Sequence, residues 1–178
     1  MSDTVTDTVT DTETDTDTGA EVTALDRLQF IVFGFVSRPS SEVYEAVVDP
    51  EQISRYFTTG GADGRLEPGN EVTWDFADFP GRFPVTPVEA VPGERVVIEW
   101  GAAESTTADG TATTRVTFTF EPVNDDARTK VTIAEDGWRV TRDGAAAAFG
   151  NSMGWTGFLA ALKVWMEHGI NLREGFYA

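Results

Sequence analysis

The sequence predicts an α+β domain: a curved antiparallel sheet of about seven strands around a long C-terminal helix, with two short helices after the first strand. Three observations carry this. Residues 143–169 keep helical spacing throughout, and residues 61–135 alternate apolar and polar positions in short runs broken by turn-forming residues. A single strand-sized apolar run, Leu28–Val36, precedes both. Nothing but the sheet is large enough to cover the helix, so the sheet must curl around it.

The helix is read from its faces. Trp155, Leu159, Leu162 and Met166 recur at four-three-four spacing, and Phe158 and Trp165 widen that stripe. Thr156, Ala160, Lys163 and Glu167 keep the same spacing one position on. Gly150, Gly154 and Gly157 form a further row. Each glycine costs a helix roughly 1 kcal/mol relative to alanine, so the row is expected to serve close approach of the helix backbone to the surface it covers. Gly169, directly after His168, is the expected stop.

Earlier in the chain, Leu28–Val36 is apolar on both faces and is expected to be well covered. Pro39 suits the first position of a short helix that buries Val43, Tyr44, Val47 and Val48. Asp49 then caps a second helix, with Pro50 at its first position and Gln52 placed for a capping-box-like pair. That helix ends near Tyr56 and Phe57. Turns follow at Pro68-Gly69-Asn70, Pro80-Gly81, Pro92-Gly93 and Asn124-Asp125-Asp126. Between them run strands with Val72, Trp74 and Phe76, residues 83–89, residues 95–100, residues 113–121 and residues 130–135. Pro84 and Pro87 confine their strand to an edge or a bulge.

Composition bounds the function. Residues 1–24 carry seven acidic side chains and no Lys or Arg; they lack the apolar mass to order themselves and are expected to be a disordered tail. They have neither the positive start nor the apolar run of a signal peptide. Residues 25–178 make one domain, long enough to bury about 70% of its unfolded surface. The net charge of −17, of which the tail holds −7, argues against nucleic acid and anionic membrane partners. Lys130 and Lys163 stand against eleven arginines. Many carboxylates with few lysines read as adaptation to a halophilic, molar-salt cytoplasm, where the Debye length falls to about 3 Å. With no cysteine and His168 as the only histidine, no disulfide, thiol chemistry or zinc cluster is expected; metal and cofactor are both read as none. His168 reads as a cation at a helix C-terminus. Asp75 and Asp78 read as solvated surface on the outward parity or in a turn.

At this point the motifs resemble a known family. They are Val36-Ser37-Arg38-Pro39 through Val43-Tyr44, Asp49-Pro50-Glu51 and Leu66-Glu67-Pro68-Gly69. Pro92-Gly93-Glu94-Arg95-Val96 then leads to Trp100, and Thr117-Phe118-Thr119-Phe120-Glu121-Pro122 follows. Gly154-Trp155-Thr156-Gly157-Phe158-Leu159, Leu162-Lys163 and Glu167-His168-Gly169 close the set. In order and spacing the chain resembles the helix-grip (START-like, SRPBCC) superfamily, in the branch named after the activator of the ninety-kilodalton heat-shock protein ATPase. The resemblance implies a seven-stranded sheet gripping the last helix, with a cavity between them that often holds an apolar ligand. It does not imply one activity, since members include carriers, lyases and cyclases, and co-chaperone domains. Tyr56 stands where the family often has tryptophan, and Glu135 near where a histidine is common.

The candidate cavity wall combines Trp74, Phe76, Trp100, Phe118 and Phe120 from the sheet with Trp155, Phe158, Leu159 and Leu162 from the helix. Packed core is the alternative for each. Indole N–H groups could serve a ligand at the mouth. Glu135 shares the parity of Val131 and Ile133; on that parity it points inward, where burial would raise its pKa, while as a strand-end residue it reaches solvent. Arg139 could pair with it or with an anionic ligand group, and Tyr56 is a third polar candidate. No catalytic pair is present as a motif.

The reading is a binding protein for a small, largely apolar molecule, cytoplasmic, monomeric or homodimeric. One alternative is a chaperone-regulating or stress-related interaction module, which predicts an exposed apolar patch. It is weakened because the co-chaperone carries a further N-terminal domain, of which this sequence shows no sign. The other is a cavity lyase or cyclase, which needs Glu135, Arg139 or Tyr56 to converge inside. From the charge alone, the melting temperature should rise steeply between low and molar salt; a flat melting temperature across that range removes the halophilic reading.

Overall fold

The computed structural model of the chain describes residues 25–104 and 112–176; the acidic stretch 1–24, expected to be a disordered tail, lies outside them. Strand β1 (Leu28–Val36) leads into helices α1 (Ser40–Val48) and α2 (Pro50–Ile53). Six strands follow: β2 (Gly61–Asp63), β3 (Val72–Phe76), β4 (Phe79–Val91), β5 (Arg95–Gly101), β6 (Thr113–Val123) and β7 (Arg128–Trp138). Helix α3 (Arg142–His168) comes last. The strands form one antiparallel sheet in the order β1-β7-β6-β5-β4-β3-β2, so β1 and β2 are the edges. Register shifts at Leu28/Gln29, Asp75/Phe76 and Pro87/Glu89 are the irregularities that let such a sheet curve. Pro87 thus sits at a bulge within an interior strand. Pro80 and Gly81 fall inside β4, because the two-residue turn at Ala77 and Asp78 pairs Phe76 with Phe79.

Helix α3 starts on Thr141, whose side chain accepts from Gly144 N–H, and stops at Gly169 in the left-handed region (φ 68°). Its backbone approaches β1 and β7 most closely. On the β3–β5 side rings span the gap: Trp155 meets Trp74 and Trp100, and Phe158 meets Tyr56 and Phe57. This layer of Tyr56, Phe57, Trp74, Phe118, Trp155 and Phe158 is the centre of the core, all of it buried.

Two short helices lock the first crossover. Helix α1 starts one residue later than its proline suggests, with Pro39 at the N-cap and no local side-chain cap. The Ser40 N–H donates instead to Asp126 Oδ1 (2.8 Å), from the β6–β7 turn whose residues 124–126 all have positive φ. Asp49 caps α2 as expected, its Oδ1 accepting from Glu51 and Gln52 N–H groups at 2.8 and 3.2 Å. Gln52 does not return to Asp49: its Oε1 accepts from the Trp165 indole, tying α2 to α3.

One expectation is overturned. β1 buries only its inner face; on the outer face Ile31 and Phe33 are 59% and 61% exposed, because among the described residues no helix or second sheet packs over the convex side of this edge strand. Asp49→Ala should destabilise the domain by about 1 kcal/mol, since two N–H groups lose their acceptor. Chemical denaturation of the variant checks this, and an unchanged midpoint would mean that the cap does not hold α2.

Candidate functional site

Between the sheet and the first half of α3 lies a cavity of about 410 Å³. The sheet side contributes Phe76, Phe79, Phe83, Trp100 and Trp138; Phe57 comes from the turn after α2. The helix side contributes Ala147, Gly150, Asn151, Met153, Gly154 and Trp155. Phe79, Phe83 and Met153 are exposed, so the cavity opens to solvent between them.

Gly150 and Gly154, two of the three glycines in the α3 row, have a different role from the expected one. A Cβ built on Gly150 or Gly154 meets nothing within 4 Å. These residues do not bring the helix backbone against the sheet. With Ala147 they keep one helix face free of side-chain volume, and the cavity occupies that volume.

Beneath the cavity sits Glu135, which is 0% exposed. It lies within β7, opposite Phe30 of β1 and Val116 of β6, because β7 runs on to Trp138 beyond the expected strand end. Its inward parity with Val131 and Ile133 therefore decides its direction. Thr114 Oγ1 (2.6 Å), Trp100 Nε1 (3.1 Å) and Asn151 Nδ2 (3.1 Å) donate to Oε1. Trp155 Nε1 (2.7 Å) and Asn151 Nδ2 (3.3 Å) reach Oε2. Burial pushes its pKa above the usual carboxylate range, and these hydrogen bonds oppose that shift in part. Both indole N–H groups are committed to the carboxylate, so neither is offered to the cavity. The indole of Trp138 is buried with its Nε1 unpartnered.

A second polar element closes one wall. The chain turns back after Gly169 and places Arg173 on the cavity. Its Nη2 donates to Asp78 Oδ1 (2.9 Å), Nη1 lies 2.8 Å from Oδ2 off the hydrogen-bonding direction, and the guanidinium lies 6.0 Å from the Phe76 ring centre. The Arg173 hydrogen bond holds the Asp78 carboxyl below its ordinary value. Asp78 is thus not the solvated surface residue expected of it. The side chain of Arg173 folds over the β3–β4 turn and covers it.

Of the residues proposed from sequence, Phe76, Trp100 and Trp155 line the cavity. Trp74, Phe118, Phe158, Leu159 and Leu162 are buried in the core behind it, and Phe120 packs edge-on against Tyr44 of α1. Tyr56 is buried with its hydroxyl donating to Ala46 O (2.9 Å), away from the cavity, and Arg139 is exposed. Of these three polar candidates only Glu135 sits against the cavity, through Trp100, Asn151 and Trp155; Tyr56 and Arg139 do not join it. Asn151 and Thr114 were missed, although each carries a signal. Asn151 precedes Trp155 by one helical turn in a glycine-rich stretch, and Thr114 has the inward parity of Val116 and Phe118. Arg173 has none, because it lies beyond the last element. Among the described residues no group of His, Cys, Asp or Glu is arranged to hold a metal, and no helix is long and apolar enough to cross a membrane.

A seven-stranded antiparallel sheet closed on one long helix, with an aromatic cavity between them, defines a helix-grip domain. Within that class the chain belongs to the family described as activator of Hsp90 ATPase homolog 1-like protein, whose model matches residues 37–167. Its structure is similar to protein SSP2350 from Staphylococcus saprophyticus, at 25% identity and a TM-score of 0.67, over 82% of this chain and 96% of that one. It is also similar to the Aha1 dimer from Colwellia psychrerythraea (19% identity, TM-score 0.61, 80% and 98% covered). A third is CalU16 from Micromonospora echinospora (17% identity, TM-score 0.57, 82% and 78% covered). The last two likenesses show the fold alone. No curated protein matches the sequence.

Two carboxylates set opposite pH dependences. The raised folded-state pKa of Glu135 means that its ionisation opposes folding, a penalty relieved as pH falls from neutral towards the ordinary carboxylate value of 4.5. For Glu167, burial pushes upward, but hydrogen bonds from Lys163 and the Ser37 N–H outweigh it and hold the pKa at about 2. Its stabilisation is present above 4.5 and lost as pH falls towards 2. Wild type should therefore gain stability relative to Glu135→Gln as pH drops from 7 towards 4.5 and lose it relative to Glu167→Gln below that. Paired melting curves across pH read both differences, and parallel curves for Glu135→Gln would contradict its buried, shifted state.

Proposed function

We propose that this domain binds a small, largely apolar molecule in the cavity between sheet and helix, with Phe76, Trp100 and Trp155 among the wall residues. The observation that carries the reading is the side-chain-free face of α3. Gly150 and Gly154 stand where alanine would favour the helix by roughly 1 kcal/mol each, yet open space lies beside both. A helix selected only for packing would fill that space. Aromatic walls with few polar groups are ordinary for sites of this size. A second reading, a protein-interaction module, is favoured by the exposed Ile31 and Phe33 on the outer face of β1.

The test is a ligand screen read jointly by tryptophan fluorescence and melting temperature, on wild type and on Gly150→Leu/Gly154→Leu. Trp100 and Trp155 report directly, since both line the cavity. Binding should shift both signals in wild type and be lost in the double variant, which should stay at least as stable as wild type. Ligand responses that survive the double variant would place binding elsewhere. Silence across fatty acids, aromatics, isoprenoids and polyketide-like compounds would favour the interaction module.

A further inference from the structure

Glu135 is a buried carboxylate without a cation. Its hydrogen-bond partners are Thr114, Trp100, Trp155 and Asn151, all neutral, and no Lys, Arg or His among the described residues pairs with it. The segments outside the described residues, 1–24, 105–111 and 177–178, contain none of these three residue types. The side chain therefore has no cationic side chain anywhere in the chain to pair with. The indoles and the Asn151 amide nitrogen can only donate, an arrangement built around a negative acceptor. An ion desolvated in this way is expensive to keep unless a counter-charge arrives.

The cavity is where one can arrive. Trp100 and Trp155 stand between Glu135 and the open space, with ring centres 5.3 Å apart and planes tilted by 42°. An indole that donates its N–H to an anion has electron density pushed towards its ring, which strengthens the attraction of that ring for a cation. Phe57 stacks on Trp155 at 5.7 Å and covers one of its faces, so the half-buried Trp100 is the indole that stays open to the cavity. The other charges on the cavity do not offset it. Arg173 is neutralised by Asp78, and Glu104 adds a further negative group to the lining.

We infer that the occupant of this cavity is a cation: an amine- or quaternary-ammonium-bearing aromatic or aliphatic molecule, held against the Trp100 ring and balanced by the Glu135 carboxylate behind it. Fatty acids and other anionic lipids are excluded by the same charge. This rests on the cavity-binding reading and narrows it to one ligand class.

Three probes of matched shape separate the two: benzyltrimethylammonium, its neutral carbon analogue neopentylbenzene, and the anionic 4-phenylbutyrate. Affinities are measured by tryptophan fluorescence and calorimetry in molar salt, where the field of the acidic surface reaches only about 3 Å. The cation should bind roughly tenfold or more tighter than the neutral analogue, with the carboxylate weakest. In Glu135→Gln, which changes the net charge by one, that preference should vanish while the neutral probe still binds. If this variant fails to fold, Trp100→Phe keeps a ring, removes one N–H, and should lower the preference. Equal or tighter binding of the neutral or anionic probe by wild type overturns the inference and leaves apolar binding standing. So does a preference unchanged in a folded variant. No binding of any probe overturns both readings.

Discussion

The indole of Trp155 joins the two layers of this domain. Its ring touches Phe57, Trp74, Trp100, Phe118 and Phe158, and its nitrogen donates to Glu135 across the gap to β7. A helix of 27 residues is about 40 Å long and cannot lie flat on a twisted sheet along its whole length. Where it approaches β1 and β7, small and branched side chains suffice. Where the sheet curves away, only large rings reach across, and Trp155 marks the boundary between packed core and open cavity.

That boundary explains the uneven fate of the aromatic residues. Phe158, one turn further from the helix N-terminus, is enclosed by Tyr56, Phe57 and Phe118 and belongs wholly to the core. One turn the other way stand Gly154, Asn151 and Gly150, and the two glycines leave open space before the rings facing them. The cavity follows from helix composition as much as from sheet curvature. Family membership accounts for the architecture; the chemistry of the wall belongs to this chain, because fold alone does not set function.

Glu135 and Arg173 show two ways of keeping charge near such a cavity. Arg173 meets a carboxylate, and the Asp78 pair adds shape without net charge. Glu135 is held only by neutral donors, so its charge stays uncompensated within the protein. The first kind of group closes a wall, whereas the second polarises one.

Period and punctuation were enough to read most of the elements, although Pro80-Gly81, expected as a turn, lies within β4. Alternation in β3, β6 and β7, the spacing through Trp155, Leu159 and Leu162, the Asp49 cap and the Gly169 stop all depend on neighbours within a few residues, and local rules carry that information. Glu135 was legible as an inward candidate by parity, but its burial turned on β7 reaching Trp138 and pairing with β1, a long-range fact. The glycine row was visible and its purpose was not, since close approach and open space look alike until the opposite surface is in place. Likewise Asp126 capping α1 from a distant turn, Asp78 meeting Arg173, and the bare outer face of β1 are set by which segments the fold brings together. Local patterning determines which residues form helices and strands. Only tertiary packing decides which of the resulting surfaces touch and which enclose the cavity, because that depends on curvature and volume summed over the whole sheet.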